Sequence, residues 1–579
     1  MNSESKTCQN CKQEFVIEPD DFAFYEKMKV PAPTWCPECR TRRRIVWRNE
    51  KTLYKHKCDA TGKMVFSMFH PDSPAKVYER DYWWSDAWDA LSYGKDIDFS
   101  RPFLEQVKEL LGEVPWPSRS VINLTNSDYC MNCSYLKNCY LVFHASYNED
   151  CLYSVGMDNS KSCADVLFGQ KCELCYEGFS LSGSYKLLYC NECHDSQDLV
   201  LCRDCTGCSN CFGCVGLRNK KYHIWNKSYS KEEYAQKIAS LRLSSYKNLL
   251  KLKEEFDAFV LKRPVKYIHG NHNQNVSGEY IYHSKNVLNS YRVVGSENCK
   301  YCQNISLPPG GRDCYDYSFF GKNAELVYEG SSIGIDASNI KFCVFVYNGA
   351  KNVEYSIMCP SSDCFGCVNL RGKQFCILNK QYTKEEYEAL VPRIIKHMNE
   401  MPYTDKKGRV YKYGEFFPPE FSPFGYNDTV AQEYFPYTKQ EAEKMGFPWQ
   451  DASPRDYEPT LTWKELPDDI KDVDDSILQQ TILCQSWEEE GSEKALEHSC
   501  SQAYKITAAE LAFYKRLGIP LPRRCFNSRH NERTKQRNPL RLWHRQCMKP
   551  GCNNEFETSY EPNRPEIVYC ESCYNAEVV

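Results

Sequence analysis

The chain has 579 residues, a net charge of −4 and 34 cysteines. That length exceeds one ordinary core, so several domains are expected. No run approaches the roughly 18 apolar residues of a membrane span, and the start, MNSESKTCQN, lacks an apolar signal segment, so a reducing cytoplasm is expected, with thiols and metal favoured over disulfides.

Residues 1–82 read as an N-terminal tandem of zinc ribbons. Cys8 and Cys11 form one C-x2-C pair and Cys36 and Cys39 a second. Two such pairs around a strand-rich segment can set four thiolates tetrahedrally about Zn2+, the closed geometry of a structural site, as in a zinc ribbon or treble clef. Cys58 opens a second ribbon, but no further cysteine follows before Cys130, so this one is expected to be metal-free. Behind the first quartet stand Arg40, Arg42, Arg43, Arg44, Trp47 and Arg48. A helix beginning at the second knuckle would place these arginines on a solvent face able to neutralise phosphates, with Trp47 stacking on a base. The competing reading is a helix paired with acids elsewhere in the chain. Residues 83–119 are expected to be a docking segment with a helix, anchored by Trp83, Trp84 and Trp88.

Residues 120–263 and 264–402 are two copies of one unit. Phe168 to Gly178 recurs as Phe320 to Gly330, and Cys211-Phe212-Gly213-Cys214-Val215 recurs as Cys364-Phe365-Gly366-Cys367-Val368. Strand-like pieces recur about every 12 residues between polar corners, which predicts a parallel β-solenoid; stacked ribbons or a β-sandwich are the alternatives. Ser230 with Glu233, and Thr383 with Glu386, are capping boxes, so each copy closes with a helix, the first running on toward Pro264.

The cysteines of these copies have two readings. Cys172 and Cys175 have knuckle spacing, yet Ala324 and Val327 replace them in the second copy, which favours an interior ladder of small apolar groups. The run Cys202, Cys205, Cys208, Cys211 and Cys214 steps by three residues, unlike the two-residue alternation of a strand, so a metal knuckle is open there. Its second-copy counterparts are Cys364, Cys367 and Cys376, the last replacing His223. His269, His272 and His283 read as a polar surface loop.

Residues 403–483 are expected to be an aromatic, proline-rich and then acidic linker. Its aromatics suggest a segment packed across another domain, and its acids could fold over an arginine face and mask it. Residues 484–579 repeat the N-terminal tandem at an offset of 489 residues, with Arg529, Arg533, Arg537 and Trp543 matching Arg40, Arg44, Arg48 and Tyr54, and Arg541 and Arg545 alongside. The ligand losses are reciprocal. Glu497 and Ser528 stand where Cys8 and Cys39 do, whereas Cys547, Cys552, Cys570 and Cys573 complete the late quartet. Cys484, His498, Cys500 and Cys525 are a possible further metal set.

The string Cys8, Cys11, Phe15, Phe24-Tyr25, Pro31, Pro33 and Cys36-Pro37-x-Cys39-Arg40 resembles the probable zinc-ribbon family of small bacterial proteins. The chain as a whole resembles cysteine-rich zinc-ribbon proteins predicted from uncultured bacteria. The resemblance implies zinc and a bacterial cytoplasm and carries no particular activity; where its pattern has C-P-x-C-R, the second module has Cys525-Phe526-Asn527-Ser528-Arg529.

The expected fold is therefore mainly β and multidomain: a central, internally duplicated parallel β-solenoid flanked by duplicated zinc-ribbon or treble-clef modules, with a few helices. Two Zn2+ ions are expected, with more open. The functional expectation is a zinc-binding scaffold that binds nucleic acid, RNA before DNA, through the arginine faces. The alternatives are a β-solenoid enzyme acting on a glycan or nucleotide-linked substrate, and a protein-interaction scaffold. No catalytic residue is singled out.

Overall fold

The computed structural model describes residues 2–451 and 457–578. Residues 452–456, inside the expected linker, and the two terminal residues lie outside the described residues.

Two parallel β-solenoids form the centre. The first runs from Val121–Thr125 to Lys227–Ser228 as an 11-stranded sheet, and the second from Gly270–Asn271 to Lys380–Gln381 as a 13-stranded sheet. Its turns hold 12 residues, since Met131 pairs with Phe143, Phe143 with Val155, Val155 with Leu167 and Leu167 with Phe179. Within a turn the backbone repeats every three residues. Asn138, Leu141, His144, Tyr147, Asp150 and Tyr153 all have positive φ, and the series continues in threes to Trp225. A left-handed residue bends the chain at each corner, so each turn is four-sided and the residue after each corner points inward.

Left-handed backbone costs a non-glycine residue about 1–2 kcal/mol. It is sustained here because each corner amide reaches the turn before: Asn138 N–H donates to Thr125 O at 3.0 Å and Asp150 N–H to Lys137 O at 3.0 Å. The narrow interior holds small side chains with a few leucines and one methionine, Met157. One inward column reads Cys139, Cys151, Cys163, Cys175, and another Leu136, Asn148, Ser160, Cys172, Ser184, Ser196, Cys208. Inward serines serve the next turn, as when Ser160 Oγ accepts from Cys172 N–H at 3.1 Å.

The second solenoid departs from the 12-residue rule through insertions. Lys300 pairs with Tyr315 across the Pro308–Pro309–Gly310 bulge, and Ser338 pairs with Lys351. Capping boxes at Ser230 and Thr383 start the closing helices Lys231–Ser240 and Lys384–Glu400. The first does not run on unbroken to Pro264: it stops at Leu241, and a new helix, Tyr246–Val260, starts at the Ser245 cap.

The terminal modules dock crosswise. In the first, a hairpin of Glu4–Thr7 with Glu14–Ile17 leads through helix Pro19–Met28 to helix Pro37–Ile45, which lies on the second solenoid. In the last, helices Ala508–Leu517 and Phe526–Thr534 lie on the first solenoid. Equivalent residues make equivalent contacts. Phe24 and Tyr25 pack on Tyr328, and Phe513 and Tyr514 pack on Tyr176. Arg40 lies over Tyr301, and Arg529 over Tyr153. The later ribbon of each tandem instead pairs just ahead of the other solenoid, Val77–Tyr78 with Trp116–Pro117 and Ile567–Tyr569 with Pro264–Lys266. Each tandem therefore bridges both copies.

This docking corrects the expectation of a solvent-facing arginine surface. Arg40, Arg43 and Arg44 are at most 1% exposed, and Arg42, Arg48, Arg529 and Arg533 are buried. Arg43 binds Glu329 at 2.6 Å and Glu415 at 2.8 Å, Arg40 and Arg44 bind Asp316 at 3.0 and 2.9 Å, and Arg42 binds Glu38 at 2.8 Å. Arg529 and Arg533 share Asp165, at 3.0 and 2.9 Å. Trp47 is fully buried against Phe417, so it offers no face to a base. Arg537 rests on the Tyr434 ring at 3.7 Å, and Arg545 donates to Glu561 O at 3.2 Å. Arg541 alone of the set is exposed, stacked over the half-buried Trp543.

The acidic linker does not mask these helices. Asp468 and Asp469 bind Ser245 and Ser244, Asp475 binds Lys515, and Glu488 binds Lys464. The aromatic part does pack inward, with Tyr411, Phe416 and Phe417 fully buried and Glu415 delivered to Arg43. Trp83, Trp84 and Trp88 surround Arg371 of the second solenoid, and Phe103 of helix Phe103–Glu113 packs on Phe365. Among the described residues no helix is long and apolar enough to cross a membrane.

Candidate metal centres and the chamber between the solenoids

Three groups of thiols converge among the described residues: Cys8, Cys11, Cys36 and Cys39; Cys547, Cys552, Cys570 and Cys573; and Cys484, Cys500 and Cys525, the sulfurs of each lying within 4.8 Å of one another. The two quartets are built alike. A hairpin turn carries the first pair, and a helix starts directly after the third cysteine, so the fourth lies in its first turn. Cys36 N–H donates to Cys8 Sγ at 3.2 Å, and Cys570 N–H to Cys547 Sγ at 3.3 Å. Cys11 and Cys36 sulfurs are 3.8 Å apart, and those of Cys552 and Cys570 3.9 Å. Amides and helix N-termini aimed at sulfur favour thiolate. At Cys570 burial opposes ionisation, but hydrogen bonds from Ser572 and the Cys573 amide bring the thiol down to about 6. Four close thiolates with tetrahedral freedom can hold a divalent soft metal ion.

The ribbon of Cys58, which lacks the other three cysteines, keeps the same frame. Hairpin Tyr54–Lys57 with Met64–Ser67 leads into Cys58, whose sulfur accepts from Thr61 N–H at 3.4 Å and Glu79 N–H at 3.1 Å. Glu79 N–H occupies the role of Cys570 N–H in the last ribbon.

The cysteines inside the solenoids form a core ladder, and the knuckle reading of the 202–214 run is corrected. Cys202, Cys205, Cys208, Cys211 and Cys214 all point inward, each beside the carbonyl two residues back, at 3.3–3.5 Å. Cys364, Cys367 and Cys376 do the same, at 3.3, 3.7 and 3.5 Å. His223 turns away and bonds Lys221 O at 2.7 Å. At the start of the first solenoid burial disfavours thiolate, pushing Cys130 up to about 12 and Cys133 well above the ordinary thiol range.

A second feature escaped the sequence. Between the solenoids lies a chamber of ≈ 330 Å³ lined by both copies, with Ser134, Ser146, Asp158 and His144 from one side and Ser332 and Tyr347 from the other. Arg48 and Arg119 also reach it. Ser134, Ser146 and Asp158 are one ladder, consecutive turns at the same register, and the two serines bond at 2.8 Å. Glu50 ties Arg48 to His144, at 3.1 Å each, and although burial opposes it, these partners hold its carboxyl at about 2. Asp158 makes no salt bridge among the described residues, and burial raises its carboxyl despite His144 and Arg292 nearby. Arg119 also has no carboxylate partner among them, and burial lowers it. The twelve-residue spacing of Ser134, Ser146 and Asp158 was a visible signal; the facing copy was not.

His269 is likewise not in a surface loop. It is half-buried between Glu192 at 3.2 Å and Glu279 at 2.7 Å, which raise it well above the usual imidazole range against the effect of burial. It thereby joins the solenoids, since Glu192 also accepts from Tyr280 at 2.7 Å. His272 and His283 stack at the surface, 4.8 Å apart.

No protein-family model and no curated protein matches this sequence.

Proposed function

We propose that this is a zinc-clamped double solenoid that binds a small, hydroxyl-rich ligand of the glycan or nucleotide-linked class between its two copies. Zinc is the ion proposed for the quartets because all-thiolate, closed, tetrahedral sites suit it. In this reading the metal sites are structural. Each fixes a ribbon, and the ribbons hold the solenoids face to face.

The observation that carries the reading is Asp158, a carboxylate with no salt bridge among the described residues, facing a chamber lined by serines, two arginines and the Tyr347 ring. Hydroxyls can pair with Asp158, Ser134 and Ser146, a sugar face can rest on Tyr347, and Arg119 suits an anionic substituent. Nucleic-acid binding was expected from solvent-facing arginines, and of that set only Arg541 is exposed, the others being engaged in contacts within the molecule. Binding is the activity proposed, since Glu50 is occupied by Arg48 and His144 and no second free carboxylate faces Asp158 in the chamber lining.

The test is a thermal-shift and calorimetric screen of monosaccharides, short glycans and nucleotide sugars against the full chain and against Asp158→Asn. A ligand that binds the parent and loses at least about tenfold in affinity with Asp158→Asn supports the proposal. Salt-dependent RNA binding with no saccharide response contradicts it.

A further inference from the structure

We propose that Cys484, Cys500, Cys525 and His498 form a third metal site, which anchors the Arg529 helix as the first quartet anchors the Arg40 helix. The sequence offset assigns Glu497 to the place of Cys8, but the fold gives that place to Cys484. Cys525 N–H donates to Cys484 Sγ at 3.2 Å, the same bond and length that Cys36 N–H makes to Cys8 Sγ. The short helices Gln485–Glu490 and Ser492–Glu497 are therefore an insertion within the knuckle. Spacing alone could not reveal that substitution.

The distances suit an ion. Cys500 and Cys525 sulfurs are 3.7 Å apart, and all three sulfurs are at most 1% exposed. Thiolates bound tetrahedrally at about 2.3 Å stand about 3.8 Å apart. Ser528 occupies the position of Cys39, its Oγ 3.4 Å from Cys525 Sγ and 3.7 Å from Cys484 Sγ. A neutral hydroxyl is a poor ligand beside an imidazole, and His498 Nε2 lies 3.2 Å behind it. The three sulfurs form the close group and His498 stands outside it, so ligation needs Ser528 to rotate away and the imidazole to advance into its place. The other ring nitrogen, Nδ1, faces Glu490 at 3.9 Å, the kind of carboxylate that orients a metal-binding imidazole. His498 also lines a cavity of ≈ 480 Å³, which gives an ion a route in.

The consequence is structural symmetry. Cys525 caps helix Phe526–Thr534, which carries Arg529 and Arg533 to Asp165. A metal at this site holds the second arginine helix as the first quartet holds Pro37–Ile45. This inference is independent of the ligand proposed for the chamber.

Metal content of the full chain purified with Zn2+ tests it. Three ions per chain are expected, falling to two in Cys484→Ser and in Cys500→Ser and staying at three in Ser528→Cys. In His498→Ala the third ion should be lost to a chelator at least about tenfold faster than in the parent. Should the cysteine variants fail to fold, Co2+ substitution of the parent reads the same point, through a three-thiolate ion beside two four-thiolate ions. Two ions in the parent, with three only in Ser528→Cys, overturns the site. A third ion equally resistant in His498→Ala overturns the role of the imidazole.

Discussion

Arg529 donates from Nε to Asp165 at 3.0 Å across 364 residues of chain, and Arg40 makes the same 3.0 Å bond to Asp316. The two acids stand at matching corners, each three residues before a left-handed phenylalanine, Phe168 or Phe319. The duplicated module and the duplicated solenoid thus recognise each other through one repeated contact, made crosswise. The arginine faces persist in both modules because they are the docking surface.

Arg43 tests the first half of that arrangement. It is fully buried between Glu329 and Glu415, which offset the desolvation of its charge. Arg43→Ala removes one partner from each carboxylate, leaving Arg44 on Glu329 at 3.2 Å and the Thr34 amide on Glu415 at 2.8 Å, and should cost about 3 kcal/mol in chemical denaturation. A loss below about 1 kcal/mol would mean that the contact is not formed.

Glu50 sets an acid limb. Its folded carboxyl lies near 2 against an ordinary 4.5, so the unfolded chain binds the proton first as pH falls. The stabilisation is complete above pH 4.5, is lost as pH falls through about 2, and amounts to about 3 kcal/mol. Stability measured from pH 5 to 2 should fall less steeply in Glu50→Gln than in the parent. Parallel curves contradict the pairing with Arg48 and His144.

Metal removal should act on the clamps before the solenoids. Chelation should expose helix Pro37–Ile45 and the ribbon of Cys547 to hydrogen exchange while the inward columns of the first solenoid stay protected. Simultaneous loss of protection everywhere would mean that the solenoids have no stability of their own.

Cys163 separates core thiols from ligands. It is fully buried in the column of Cys139, Cys151 and Cys175. Cys163→Ala should lower stability by about 1 kcal/mol and leave the metal content unchanged. A change in metal content would reopen the central cysteines as ligands.

The 12-residue recurrence, the duplications and the capping boxes made the solenoid and its closing helices legible in the sequence. The two quartets were legible because four thiols at knuckle spacing leave few other arrangements. The 202–214 run misled for a physical reason. A four-sided solenoid turns a residue inward every three positions, so C-x2-C arises from its geometry alone, and a two-residue strand period is the wrong comparison. The fate of the arginines was hidden because their partners, Asp165 and Asp316, lie 364 and 276 residues away. Cys484 was visible as a candidate ligand, but its equivalence to Cys8 was hidden by an insertion, and the chamber by the apposition of two copies that each show only half of it.

A double-mutant cycle between Arg529 and Asp165, with each changed to Ala singly and together, tests the crosswise docking most directly. Stability measured by denaturant unfolding should give a coupling energy of at least about 2 kcal/mol, because a fully buried ion pair is broken from either side. A coupling energy near zero would mean that the last module does not sit on the first solenoid.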